Sequence, residues 1–253
     1  MLGAIIGDII GSRFERQNRK SKTFELFNSN CHITDDTIMT LAVAEACDNV
    51  INFDLTDSAA KSEFKNIMVR WGKDHPSYGY GKGFLEWLNN PVPYNSFGNG
   101  AIMRVSPIAW KFDTLDKVEK YAQLSAGVSH NHPSAIAGAV TIAGAIWTAK
   151  QTKDKMQVRD YIESFGYDIP KIDVIRPTYE FDCSCDGTIP VAVAAYLEST
   201  SFEDAIRNAI SVGGDSDTIA AVTGALAEAE YGIPEEFKRK ARHYVGSNLY
   251  LIK

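Results

Sequence analysis

The chain has 253 residues, of which 45% are hydrophobic and 23% are charged, as in an ordinary globular protein. Its formal net charge of -6 argues against a general nucleic-acid-binding protein, which would normally carry a basic surface. No run approaches the ~20 apolar residues that a membrane span requires, and no linker-like segment divides the chain. We therefore expect one domain over residues 1–253, with no membrane partner and with a monomer favoured over an oligomer.

The apolar N-terminal segment, residues 1–11, differs from a secretory signal peptide. It lacks a basic region, and Asp8 interrupts the apolar run. The four cysteines are too few for a disulfide framework in a chain of this length. Both observations favour a cytoplasmic protein.

The apolar pattern predicts an all-α fold, because no span alternates with period two. Glycines at positions 3, 7 and 11 lie on one face of the first predicted helix and would let another helix approach closely. Residues 75–99 are predicted to form a long loop with one helical turn near 84–88, and residues 170–183 an extended or irregular segment. The other predicted helices cover 34–49, a segment after 57 with Phe64, Ile67, Met68 and Trp71 on one face, 100–110, 114–127, 133–150, 154–165, 186–199, 201–210, 216–231 and 234–246.

Two acidic pairs begin predicted helices. Asp35 and Asp36 form the first pair, and Asp215 and Asp217 form the second, after a Gly-Gly turn. Carboxylates this close raise each other's pKa unless a cation lies between them, and no Lys, Arg or His is near the second pair in sequence. Carboxylate and hydroxyl oxygens are the ligands that magnesium-class ions prefer. Each pair taken singly is also typical of an ordinary helix N-terminus, where acidic residues face the positive end of the dipole.

A glycine-rich segment, residues 96–100, precedes the predicted helix at 100–110. Its backbone N–H groups could hold a diphosphate, although a single glycine-rich turn is a weak indicator. Arg104, farther along the helix, is predicted to be structural and paired with a carboxylate. His130 and His132 could belong to a zinc site, but no Cys or third His has suitable spacing.

Six separated motifs over about residues 3–232 resemble those of one known family. They are Gly3-Ala4-Ile5-Ile6-Gly7-Asp8 with Gly11 and Glu15, Thr34-Asp35-Asp36-Thr37, Gly98-Asn99-Gly100-Ala101-Ile102-Met103-Arg104, Ser129-His130, Thr188-Ile189-Pro190 and Gly213-Gly214-Asp215-Ser216-Asp217-Thr218. In this order they resemble the ADP-ribosylglycohydrolase family. The resemblance implies a compact, orthogonal, all-α domain with a dinuclear magnesium or manganese site.

The resemblance also implies which residues bind the two Mg²⁺ or Mn²⁺ ions. The implied ligands are Thr34, Asp35 and Asp36 for one ion, and Asp215, Asp217 and Thr218 for the other. Asp217 would bridge the ions. Glu15 would lie beside them, and either Glu15 or Asp35 would be the general base. Without the resemblance, Glu15 would be interpreted as an exposed acid between two arginines.

The implied substrate-binding residues are Ser96, Phe97, Gly98, Asn99, Gly100 and His130, with Phe97 as an adenine-stacking ring. The implied reaction is hydrolysis of the glycosidic bond between ADP-ribose and a modified acceptor, through an oxocarbenium-like transition state. The acceptor stays open between arginine, serine and others. The rival interpretation is a non-catalytic ADP-ribose-binding or immunity-type protein that uses the same pocket. A metal phosphohydrolase is disfavoured, because neither a His-Asp pair nor a Glu-rich pyrophosphatase helix occurs.

Overall fold

The computed structural model describes residues 1–246, and within this range the chain is helical with no β-strand. The helices are Leu2–Gly11 (α1), Asp35–Asn52 (α2), Asp57–Asp74 (α3), Lys82–Asn89 (α4), Ser106–Lys111 (α5), Leu115–Ala126 (α6), Pro133–Thr152 (α7), Lys155–Glu163 (α8), Ile172–Ile175 (α9), Cys185–Leu197 (α10), Phe202–Val212 (α11), Ser216–Tyr231 (α12) and Glu235–Val245 (α13). The predicted all-α class is confirmed. The last residues of the predicted domain, 247–253, lie outside the described range. No helix up to residue 246 is long and apolar enough to cross a membrane.

Helix α1 packs directly against the backbone of α12. A Cβ atom added at Gly7 would lie 2.0 Å from the carbonyl oxygen of Ala220, and one added at Gly3 would lie 2.2 Å from that of Gly224. Only glycine allows this approach, because no larger side chain fits between the two backbones. The contact confirms that the glycine face of α1 is a helix-packing face. It also brings the C-terminal end of α1 to the first residues of α12.

Helix α2 begins beside α1 because an aspartate of α1 binds its first turn. Asp8 is fully buried, and its carboxylate accepts hydrogen bonds from Thr34 N at 3.0 Å and from Thr34 Oγ1 at 2.8 Å. It also accepts hydrogen bonds from the backbone and hydroxyl of Thr37. The free N–H groups at a helix start require such acceptors. Asp8 therefore fixes where α2 starts.

Helix α12 begins after two residues with left-handed backbone. Gly213 has φ 77° and Gly214 has φ 70°, a conformation that favours glycine. The side chain of Asn18 accepts a hydrogen bond from Gly214 N at 3.2 Å, and Lys20 donates to the carbonyl oxygen of Val212. The loop after α1 thus holds the turn that presents Asp215.

Three predicted segments differ from the structure. The helix predicted over 100–110 is a 3₁₀ turn, Asn99–Ala101, followed by α5, with Pro107 in the first turn of α5. Proline inside a helix clashes with the carbonyl four residues earlier, so a new helix starts there. The single turn predicted near 84–88 is the eight-residue helix α4, which buries Phe84, Trp87 and Leu88. The irregular segment 170–183 contains the short helix α9.

Candidate active site

A cavity of about 500 Å³ opens where the starts of α2 and α12 meet the glycine-rich segment 96–100. Twelve of the thirteen residues that the sequence indicated for the site line it. They are Glu15, Thr34, Asp35, Asp36, Ser96, Gly98, Asn99, Gly100, His130, Asp215, Asp217 and Thr218. The resemblance therefore indicated residues that are distant in sequence and adjacent in space. The thirteenth, Phe97, is described below.

The acidic residues of the two helix starts form one cluster. Asp36 and Asp217 are almost completely buried, at 3% and 5% exposure. Thr218 Oγ1 donates to Asp36 Oδ1 at 3.4 Å and so links α12 to α2. Asp215 accepts a hydrogen bond of 2.7 Å from the amide of Asn99, which also donates to Thr188. This amide connects the glycine-rich segment to the cluster.

Burial and mutual repulsion dominate the electrostatics of the cluster. Burial, followed by the charge of Asp8, raises the pKa of Asp35 to about 7. Burial and the neighbouring carboxylates also hold the pKa of Asp36 and of Asp217 well above the usual range. Burial raises the pKa of Asp215 as well. Four buried carboxyl groups this close together can stay buried only if protons or cations neutralise their charge.

The donor set fits a hard divalent cation. One carboxylate oxygen, Asp36 Oδ2, is buried and has no hydrogen-bond partner within residues 1–246. A buried acceptor without a donor is costly, and a cation beside it would remove that cost. The hydroxyl of Thr34 donates to Asp8 and accepts from Asp36 N at 3.3 Å, which leaves one lone pair of its oxygen for a cation. Within the described range no three acidic, His or Cys side chains form a preformed metal site.

Glu15 lies in the turn after α1 and is half-buried at the cavity wall. It is therefore not the exposed acid that its two arginine neighbours would suggest. Burial, then the charge of Asp215, raises the pKa of Glu15. Its carboxyl group thus lies near the acidic cluster and is also open to solvent.

The backbone of segment 96–100 is partly committed to internal hydrogen bonds. Gly98 N donates to Ser96 Oγ at 3.1 Å, and Asn99 N donates to the carbonyl oxygen of Cys183 at 2.7 Å. The segment enters a three-residue 3₁₀ turn, where the sequence had suggested the start of a longer helix. The expected set of free N–H groups is therefore smaller than predicted, and the side chains of Ser96 and Asn99 occupy part of the same wall.

Phe97 is the sequence-indicated residue that does not line the cavity. Its side chain is 57% exposed and packs edge-on against the ring of His132, with 5.9 Å between the ring centroids. Aromatic residues from the preceding loop and from α4 line the wall instead. These are Tyr78, Phe84 and Tyr94.

Two residues of the site were missed or misinterpreted from the sequence. The first sequence motif contains Asp8 without indicating a role for it, yet Asp8 positions Thr34 from within α1. An aspartate inside an otherwise apolar helix was the available signal, because a buried carboxylate needs partners. Arg104 was expected to pair with a carboxylate, but the hydrogen bond it makes is to the hydroxyl of Ser129.

The helical fold and the buried acidic cluster define the class of protein to which the chain belongs. The family model for ADP-ribosylglycohydrolase matches residues 1–250. The chain therefore belongs to the ADP-ribosylglycohydrolase family, a family of hydrolases, and the resemblance inferred from the sequence is confirmed.

Individual relatives agree with this assignment. ADP-ribosylhydrolase ARH3 of Homo sapiens is 25% identical, and the match covers 96% of this chain and 88% of the relative. ADP-ribosylarginine hydrolase Tri1 of Pseudomonas putida is 27% identical, with 95% of this chain and 72% of the relative covered. A solved structure described as an ADP-ribosylglycohydrolase-related protein complex superposes with a TM-score of 0.74 at 21% identity. The superposition covers 99% of this chain and 95% of the solved chain. At 21% identity, this likeness supports the fold alone.

Proposed function

We propose that the protein is a divalent-metal-dependent hydrolase that cleaves the glycosidic bond between ADP-ribose and a modified acceptor, releasing ADP-ribose. The observation that carries this proposal is the convergence of two buried acidic helix starts in one cavity of about 500 Å³. A family generally dependent on divalent metals supports the same reaction.

The proposed ligands divide between the two helix starts. The residues assigned to one ion are Thr34, Asp35 and Asp36, and those assigned to the other are Asp215, Asp217 and Thr218, with Asp217 shared. Two bound Mg²⁺ or Mn²⁺ ions would neutralise these carboxylates, orient the ribose hydroxyls and lower the pKa of water. Asp8 and Asn99 are proposed to orient the ligands, since they bind Thr34 and Asp215.

Proton transfer is assigned to the carboxylates that face the open part of the cavity. Glu15 is half-buried beside Asp215, and burial raises its pKa in the direction that favours a group that accepts and returns a proton. Asp35 is the alternative base. Glu15→Gln distinguishes the two, because Glu15 is not a proposed metal ligand: if Glu15 is the base, this variant should keep its metal affinity while kcat falls by about 10²–10⁴, whereas an unchanged kcat would favour Asp35.

The acceptor is proposed to be an ADP-ribosylated side chain. The name of the Tri1 relative, ADP-ribosylarginine hydrolase, favours arginine as the first linkage to examine. A serine linkage is the second. The non-catalytic rival would use the same cavity to bind ADP-ribose in a stoichiometric complex without turnover.

The deciding experiment measures free ADP-ribose released from arginine- and serine-linked ADP-ribosyl peptides with Mg²⁺, with Mn²⁺ and with EDTA. We expect repeated turnover from one linkage, loss of turnover in EDTA, and recovery when metal is returned. Asp116→Asn, an exposed acid on α6, is the matched control and should react like the wild type. Binding of ADP-ribose without turnover on either peptide would favour the rival.

A further inference from the structure

Arg104 is a completely buried arginine in the wall of the cavity. Its side chain has 0% exposure, and it lines the cavity at the segment that follows the 3₁₀ turn. Nη2 donates to Ser129 Oγ at 2.8 Å, whereas Nε and Nη1 have no hydrogen-bond partner among residues 1–246. A buried guanidinium with unsatisfied donors costs stability. Its presence therefore calls for an explanation beyond packing.

Ser129 connects this arginine to a histidine. Ser129 is fully buried, and its Oγ lies 2.8 Å from His130 Nδ1. A guanidinium has only donors, so Ser129 Oγ must accept from Arg104. The single hydroxyl hydrogen of Ser129 is then free to donate to His130 Nδ1. Among residues 1–246, Arg104 and His130 are the only hydrogen-bond partners of Ser129 Oγ, so His130 Nδ1 is the acceptor available to this hydrogen.

This direction determines which nitrogen of His130 carries the proton. A neutral imidazole that accepts at Nδ1 carries its hydrogen on Nε2. Burial and the charge of Arg104 hold the pKa of His130 well below its ordinary value, which keeps the ring neutral. Nε2 lies on the cavity side, 3.0 Å from where a Cβ of Gly100 would be and 3.7 Å from that of Gly98. Glycine at position 100 leaves space beside this nitrogen.

We infer that Arg104 and Ser129 are positioning residues that hold His130 as an Nε2–H donor facing segment 96–100, ready to bind an anionic ligand oxygen. Phosphate oxygens of a diphosphate are the chemical class that such a donor fits. This inference rests on the proposed function for the identity of the ligand, but the proton position is a property of the free protein. It assigns roles to two residues whose side chains make no hydrogen bond to the acidic cluster within residues 1–246.

A purely structural role is the competing explanation. The guanidinium carbon of Arg104 lies 5.6 Å from the ring centroid of Phe84, a cation–π distance that would contribute to packing. That contact places no requirement on the hydroxyl direction of Ser129 or on the tautomer of His130. The tautomer therefore separates the two roles.

The first test is ¹⁵N NMR of protein labelled at its five histidines, with His130→Gln to assign the His130 signals. In the ligand-free wild type we expect a neutral ring protonated at Nε2. Ser129→Ala removes the donor to Nδ1 and should give a mixture of tautomers or the Nδ1–H form. Arg104→Gln should do the same, because a glutamine carbonyl can accept from Ser129 and allow the reverse direction.

Ser125→Ala is the matched control for Ser129→Ala. Ser125 is also fully buried, and its hydroxyl has no partner among the described residues, so its removal should leave the His130 tautomer unchanged. If Arg104→Gln does not fold, Ser129→Ala alone decides. An Nδ1–H ring in the wild type, or an unchanged tautomer in Ser129→Ala, would overturn the inference.

The second test is calorimetric binding of ADP-ribose to the same variants. Loss of a directed hydrogen bond to a charged group should weaken binding about tenfold in Ser129→Ala and leave Ser125→Ala unchanged. Wild-type affinity in Ser129→Ala would overturn the ligand role. If the wild type itself binds no ADP-ribose, the proposed function fails, and the assignment of the proton to Nε2 is then decided by the NMR result alone.

Discussion

Asp8 has an unusual number of hydrogen bonds for one carboxylate. Four donors from Thr34 and Thr37 converge on its two oxygens, all of them within the buried contact between α1 and α2. The pKa of Asp8 is raised by burial and lowered by these same hydrogen bonds. Burial is the larger effect, so the pKa of Asp8 is raised overall, and its oxygens are the acceptors of a helix start that would otherwise have none.

Asp8→Asn should destabilise the protein by about 2 kcal/mol. The asparagine amide has only one acceptor oxygen, and its NH₂ group would face the donors of Thr34 and Thr37. The lost hydrogen bonds should cost more free energy than is gained by removing a buried carboxylate. Urea unfolding in EDTA measures the change, with Asp116→Asn as the surface control. An unchanged midpoint would show that the contacts of Asp8 contribute no net stability.

Asp217→Ala should abolish metal binding and turnover while the helix content stays close to wild type. The side chain belongs to the first turn of α12, whose packing depends on other residues. Without metal, the variant should be at least as stable as the wild type at neutral pH, because a carboxylate with a strongly raised pKa is removed. Calorimetric Mn²⁺ titration and circular dichroism measure both effects. Wild-type turnover in this variant would exclude the proposed metal ligation.

At the scale of residues, the sequence was informative where a motif had a chemical meaning of its own. Paired acids at two predicted helix starts indicated Asp35, Asp36, Asp215 and Asp217, and these residues do line one cavity. The hydroxyl partner of Arg104 could not be predicted, because the contact joins residues 25 positions apart through a turn that the sequence suggested was helix.

At the scale of elements, the contact between α1 and α12 determines the geometry of the cavity. A Cβ added at Gly11 would lie 2.5 Å from the carbonyl oxygen of Ser216. The start of α12, with its two aspartates, is therefore set by a glycine at the end of α1.

Gly7→Ala should destabilise the protein by about 3 kcal/mol, because its Cβ would overlap the backbone of Ala220 and force the helices apart. Gly81→Ala is the matched control. Gly81 has φ -60° and ψ 149° at the start of α4, and no atom lies within 4 Å of its added Cβ. Chemical denaturation of both variants measures the difference, and equal stabilities would contradict the close-packing argument.

The helix boundaries show which parts of the fold can be predicted from the sequence. Periodic apolar residues predicted α2, α3, α6, α7 and α12 close to their observed bounds. The prediction of one helix over 100–110 was wrong. The apolar residues there fit a helical period, but Pro107 and the tertiary contacts of Asn99 impose a turn. Apolar periodicity reports what is buried and does not report a tertiary hydrogen bond that bends the chain.

At the scale of the whole molecule, the buried acids should make metal-free stability depend on pH. The folded state holds protons on carboxyls such as Asp35, whose pKa is about 7, while the unfolded chain releases them near pH ~3.9. The folded state thus binds more protons between these values, and the free energy of unfolding falls as the pH rises through this window.

The melting temperature in EDTA should therefore decrease between pH 5 and about pH 7. Saturating Mg²⁺ should reduce or remove the decrease, because the ion binds the ionised carboxylates of the folded state. Differential scanning fluorimetry across this range with and without Mg²⁺ measures the effect. A rise in melting temperature with pH in EDTA would contradict the proposed origin of the raised pKa values.

The contact between α1 and α12 also has a consequence for biosynthesis. The apolar α1 leaves the ribosome long before its packing partner, which ends at Tyr231. At about 5–20 residues per second this delay is roughly 10–45 s. During that time an apolar segment and the acids of α2 have no partner from α12. A nascent chain stalled before residue 216 should therefore remain protease-sensitive and associated with chaperones, whereas one stalled with α12 fully outside the tunnel should become resistant. On the proposed function, metal binding would then follow the emergence of α12.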